Sequence, residues 1–146
     1  MNAEQFVEDR VRDAPMLDHG DLDELLQIRD APCISIYVPT SPVSGHKDKS
    51  RIPYKDQVRK VSAELEARGT DKRLLRHFVS RLEHVGVREP FWLHQQYGLA
   101  VMLSPQCFMV RRMMRSPEAM GIVAERFHLR PLLRETRNWM RYRCCA

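Results

Sequence analysis

The sequence predicts an α/β domain in which a mixed β-sheet packs with a helical hairpin. Three observations carry this expectation. A β-branched run at residues 31–40 alternates apolar and less apolar positions; two consecutive helical stripes follow, each stopped by a glycine; and three further strand-like runs lie between residues 98 and 127.

The first strand founds the sheet. Ile34, Ile36 and Val38 point one way and Cys33, Ser35 and Tyr37 the other, the period-two pattern of a strand with one strongly apolar face, bracketed by Pro32 and Pro39. Upstream, Phe6, Val7 and Val11 suggest a short amphipathic helix in residues 1–13, ended by Pro15. A better helix follows, capped by Asp21 or Asp23, with Leu22, Leu25, Leu26 and Ile28 as its stripe.

Residues 40–53 are rich in turn formers and read as a loop, with Lys47, Lys49 and Arg51 set against Asp48. Pro53 suits a first helical residue, and Tyr54, Val58, Val61 and Leu65 form one stripe up to Gly69. Thr70 is expected to cap the second helix, whose apolar face is Leu74, Leu75, Phe78, Val79, Leu82 and Val85, with Gly86 as its stop. These stripes need a partner, and the Ile34, Ile36 and Val38 face supplies one.

Three strands complete the sheet. Residues 98–104 are almost continuously apolar, as in a strand covered on both faces; 106–112 would pair with them through a tight turn at Ser104, Pro105 and Gln106; and 119–127 alternate around Val123, Glu125 and Phe127.

Composition sets the limits. The 146 residues suit one ordinary domain, and 43% apolar with 29% charged residues describe a soluble globular chain without a run long enough for a membrane span. The acidic N-terminus lacks the layout of a signal peptide, so a cytoplasmic address is expected. Cys33, Cys107, Cys144 and Cys145 show no zinc-type spacing and are expected to be reduced, buried thiols. No cofactor or metal is expected.

The net charge of +5 is unevenly spread: residues 1–30 hold nine acids and three arginines, and the rest of the chain holds twenty-one bases and ten acids. A basic body favours a polyanionic partner such as RNA, unless the acidic arm neutralises it by lying across it. The candidate RNA-binding residues are Lys47, Lys49, Arg51, Lys55, Arg59 and Lys60, together with Lys72, Arg73 and Arg76 at the hairpin tip. Base-stacking aromatics are absent from this loop apart from Tyr54 at its end.

Several motifs then suggest a family. The run Cys-Ile-Ser-Ile-Tyr-Val-Pro-Thr at 33–40, the basic segment after it, Phe91-Trp92 before the Tyr97 to Leu103 run, and Phe127-His128-Leu129-Arg130-Pro131-Leu132-Leu133 occur in a characteristic order. Over about residues 20–143 the chain resembles the N-terminal domain of the bacterial branch of the archaeo-eukaryotic release factor superfamily. The resemblance implies an α/β domain which, in translation-termination relatives, reads a codon on the ribosome. It also implies contact with the ribosome or tRNA. Peptide release in those relatives belongs to a middle domain with a Gly-Gly-Gln loop, which this sequence lacks. Their Asn-Ile-Lys-Ser decoding motif is replaced here by Arg68-Gly69-Thr70-Asp71-Lys72-Arg73, so the resemblance does not extend to the residues that read a stop codon. On this basis residues 1–133 would form one domain, with 1–30 an acidic helical arm. Residues 134–146 would be a linker and the start of a missing domain, cut short.

Two other functions compete with a non-catalytic RNA- or ribosome-binding domain. One is a small-molecule or nucleotide hydrolase with a pocket past the first strand, using Thr40, Ser41 and His128. Turn formation explains the two hydroxyls, and a hydrogen bond pinning the strand exit explains His128. The other is a protein-interaction module or homodimer using Met113, Met114 and Met120 as an adaptable apolar surface. His77 and His84 suit a helix surface, and His94 lies in a connecting segment. No Gly-x-Ser-x-Gly, phosphate-loop or dinucleotide fingerprint occurs, so no catalytic residue is assigned.

Overall fold

The structure, a computed structural model, describes residues 14–43 and 45–136. Helix α1 (His19–Gln27) leads into β1 (Cys33–Pro39), and the hairpin follows as α2 (Lys47–Ala67) and α3 (Lys72–Val87). A short α4 (Glu89–Leu93) precedes β2 (Gly98–Leu103), β3 (Phe108–Met113) and β4 (Met120–Ala124). A final helix, α5, covers residues 130–136. The first expected helix, in residues 1–13, and the Cys144-Cys145 pair lie outside the described residues.

The α/β class and the hairpin packed on the sheet are as the sequence predicts. Strand order is β3-β2-β1-β4. Every strand pair is antiparallel, so the mixed character resides only in an isolated parallel bridge between Met16 and Arg112 beside β3. The β2–β3 turn is the expected tight one, closed by two hydrogen bonds between Ser104 and Cys107.

One face of the sheet carries Ile34, Ile36, Val38, Leu99, Val101 and Val123 against Tyr54, Val58, Val61, Leu65, Phe78 and Leu82 of the hairpin. The Tyr54 hydroxyl donates to the Leu82 carbonyl at 2.7 Å, which lets a phenol sit in this core without an unpaired polar atom. Helix α2 comes so close to β4 that a Cβ on Gly121 would stand 2.8 Å from Val61 Cγ2. Only a residue without a side chain fits there.

The opposite face is buried too. Cys33 and Tyr37 pack with Met102, Met109 and Met113 beneath Leu17, Leu22 and Leu25 from the N-terminal side and Phe127 and Leu132 from the C-terminal side. Hence β1 is covered on both faces and not on one. The polar members of its second face are accommodated by hydrogen bonds: Ser35 Oγ accepts from the His128 amide at 2.9 Å, and the Tyr37 hydroxyl donates to the His128 carbonyl.

Several boundaries differ from expectation for local reasons. Asp18, not Asp21 or Asp23, caps α1, because Asp18 and Asp21 form a reciprocal capping box. Helix α2 begins at Lys47, so Pro53 lies inside it and residues 47–52 are helical where a loop was expected. Ser50 is fully buried there, its hydroxyl accepting from the Ser41 amide at 3.1 Å, and this docking holds the extra turns in place. Asp71, not Thr70, caps α3 by accepting from the Arg73 and Leu74 amides. Helix α3 passes through Gly86 to end at Val87. Residues 134–136, expected in a linker, continue α5, and Glu135 is buried beneath it.

Candidate nucleic-acid interface

The hairpin turns its apolar stripes inward, which leaves its charged positions outside. Lys49, Lys55, Arg59, Lys60, Lys72, Arg73 and Arg76 are exposed, and Lys47 and Arg51 are half-buried. The helices run antiparallel, since Tyr54 early in α2 meets Leu82 late in α3. Lys72, Arg73 and Arg76 therefore lie near the C-terminal end of α2. Lys49 is some 20 residues from the tip glycine, Gly69, a helical distance of about 30 Å. The nine cations form a stripe along the hairpin and not one compact patch.

The stripe is not purely basic. Arg51 pairs with Asp48 at 3.0 Å, Arg59 with Asp56 at 3.3 Å and Arg68 with Glu64 at 2.9 Å, along α2 and its C-cap. Exposed pairs of this kind contribute only about 0.2–1 kcal/mol and exchange readily for a phosphate partner. Residues 47–76 still hold ten bases against five acids. Arg68 was not singled out from the sequence, although its place beside the tip puts it on the same stripe. His77 adds little positive charge, because burial, and then the neighbouring Arg81, push its pKa down.

Among the described residues, two acids of the arm meet the basic body away from this stripe. Asp21 is buried and takes two hydrogen bonds from Arg111 on β3, while Asp30 accepts from the Ser104 hydroxyl and the Gln106 amide. Both acids act at the β2–β3 side of the sheet and not on the hairpin.

The hydrolase candidates are not brought together. Thr40 donates through Oγ1 to the Gln96 carbonyl at 2.6 Å, at the C-terminal end of β1. His128 lies over the second face of the sheet, its backbone hydrogen-bonded to Ser35 and Tyr37 and its imidazole edge-on to the Tyr37 ring. Its side chain lines a cleft with Leu129, Arg130, Leu133 and Arg134. Ser41 does have a histidine partner the sequence reading missed, His46 Nδ1 at 3.0 Å. That Oγ also accepts from the Val43 amide at 3.2 Å, as in a serine turn. Among the described residues no carboxylate is bonded to His46 to orient it as a base.

The methionine surface is also divided: Met113 is buried, Met120 half-buried and Met114 exposed. Cys33 and Cys107 are buried, and burial, then the nearby Asp30, push the Cys33 thiol pKa up. Among the described residues no group of three or more His, Cys, Asp or Glu is placed to hold a metal ion, and no helix is long and apolar enough to cross a membrane.

Compared with protein-family models and with curated proteins, the chain has no significant match.

Proposed function

We propose that this chain is a cytoplasmic, non-catalytic RNA-binding domain whose helical hairpin lies along a phosphate backbone, with ribosomal RNA or tRNA as its partner. The observation that carries this reading is the outward exposure of Lys49, Lys55, Arg59, Lys60, Lys72, Arg73 and Arg76 along both helices. A stripe about 30 Å long suits successive phosphates better than a single anion. The scarcity of aromatics on it favours backbone contact over base stacking. The resemblance to release-factor N-terminal domains supplies the choice of partner, in a protein acting in translation or ribosome rescue.

The test is binding of the chain to purified ribosomes and to tRNA across a salt series. Affinity should fall steeply with salt. Joint substitution of Lys55→Ala, Arg59→Ala and Lys60→Ala should weaken binding about tenfold at low salt and reduce the logarithmic salt slope by about 2. No binding at low salt overturns the reading.

A further inference from the structure

We infer that the cavity between the β3–β4 loop and α5 binds a nucleoside monophosphate, either free or as the phosphorylated end of an RNA strand. The site is separate from the hairpin and its cations. Its volume is about 270 Å³, room for one small molecule and just under the range of about 300–1,000 Å³ usual for ligand sites.

Two contacts fix its walls. Glu135, only 1% exposed, accepts from the Met114 amide at 2.9 Å and from the Arg115 amide at 3.0 Å, so one carboxylate ties the β3–β4 loop to α5. The loop also lies directly on the start of β2: a Cβ on Gly98 would stand 2.6 Å from both the Arg115 carbonyl oxygen and Pro117 Cδ. Arg115 from the loop and Arg134 from α5 are thereby brought to one cavity.

The lining divides into an apolar floor and a charged rim. Met113 is buried and Met120, Pro117 and Pro131 are half-buried, which sets two polarizable thioethers and two rigid rings where a planar base can lie. Arg115, Ser116, Glu118 and Arg134 are exposed around them. Among the described residues no hydrogen bond or ion pair holds either of these two guanidinium groups. A phosphate monoester carries about −1.5 to −2 charge at pH 7 on three acceptor oxygens. Two guanidiniums and the Ser116 hydroxyl match such a group, whereas a carboxylate needs only one guanidinium. Glu118 adds an acceptor, and the exocyclic amino group of adenine, guanine or cytosine is a donor suited to it. Uracil offers none.

The experiment is isothermal titration calorimetry of the full chain at low salt, with adenosine 5′-monophosphate as the probe. Binding should be one to one, and adenosine or inorganic phosphate alone should bind at least about tenfold more weakly. Arg115→Ala and Arg134→Ala should each weaken the nucleotide about tenfold, and Arg126→Ala, an exposed arginine outside the cavity, should not. Glu118→Ala should weaken adenosine 5′-monophosphate but not uridine 5′-monophosphate. A short RNA with and without a 5′-phosphate distinguishes the sources: a strand-end site binds the phosphorylated RNA at least as well as the nucleotide, and a free-nucleotide site rejects both RNAs. No binding at millimolar nucleotide, adenosine binding as tightly as its phosphate, or indifference to both cavity arginines overturns the inference. The hairpin reading would survive that result, because a single nucleotide is too short to span the stripe.

Discussion

Asp21 and Arg111, ninety residues apart in sequence, are joined by a two-pronged ion pair with contacts of 2.8 and 3.0 Å. The same Asp21 carboxylate accepts from the Asp18 amide at 3.0 Å. One side chain therefore closes the first turn of α1 and fastens that helix to β3.

Replacing Asp21 with Ala should cost about 2–3 kcal/mol, below the full cost of breaking a buried pair because the Arg111 side chain keeps some contact with water. Arg111→Ala should cost nearly as much, and the double variant clearly less than the sum of the two. Urea denaturation of the four proteins measures this. Full additivity would mean that the pair does not hold α1 to the sheet.

The link between Tyr37 and His128 separates a structural from a catalytic histidine. Tyr37→Phe removes the hydroxyl that donates to the His128 carbonyl in a buried setting and should lower stability by about 1–2 kcal/mol. Ser35→Ala, which removes the acceptor of the His128 amide, should do much the same. His128→Ala keeps both backbone bonds, loses only the edge-on contact of its ring with Tyr37, and should change stability by less than about 1 kcal/mol. Thermal melts of the three variants decide the matter.

Glu135 should make stability depend on pH. Its buried carboxylate accepts from the Met114 and Arg115 amides, both of which reach Oε1, at 2.9 and 3.0 Å. Burial raises its pKa more than those bonds and the Arg115 charge lower it. An acid with a raised pKa in the folded state binds protons that the unfolded chain has already released. Its contribution is full below the ordinary carboxylate range and is lost as pH rises through the raised value. Glu135→Gln keeps the Oε1 acceptor without the charge. The stability of this variant relative to wild type should therefore grow as pH rises from the ordinary carboxylate range through the raised value. A pH-independent difference in Tm would reject this account.

Much of the fold was legible because its signals are local. Alternation of Ile34, Ile36 and Val38 marks a strand, and the spacing of Tyr54, Val58, Val61 and Leu65 marks the buried side of a helix. The α1 cap was also present in the Asp18-to-Asp21 spacing, a capping box written with two aspartates. Other features depend on distant partners. Nothing near Tyr37 announces that Phe127 and Leu132 will cover it, so a strand that reads as one-faced is buried on both. Pro53 reads as a helix start because its ring removes a donor, yet the burial of Ser50 holds the helix upstream of it. The charges of the candidate interface were visible, as was their side of the hairpin. Their separation along it was hidden by reading residues 47–52 as a loop.

The second face of the sheet is roofed by segments from opposite sides of it in sequence, residues 14–25 before β1 and residues 127–132 after β4. On the ribosome the hairpin face can assemble from sequential neighbours as they emerge. The other face cannot. Tyr37, Met102 and Met109 remain uncovered by α5 until the last described helix has left the exit tunnel. During that interval the nascent chain exposes these apolar side chains, and exposed surface of that kind is prone to aggregate.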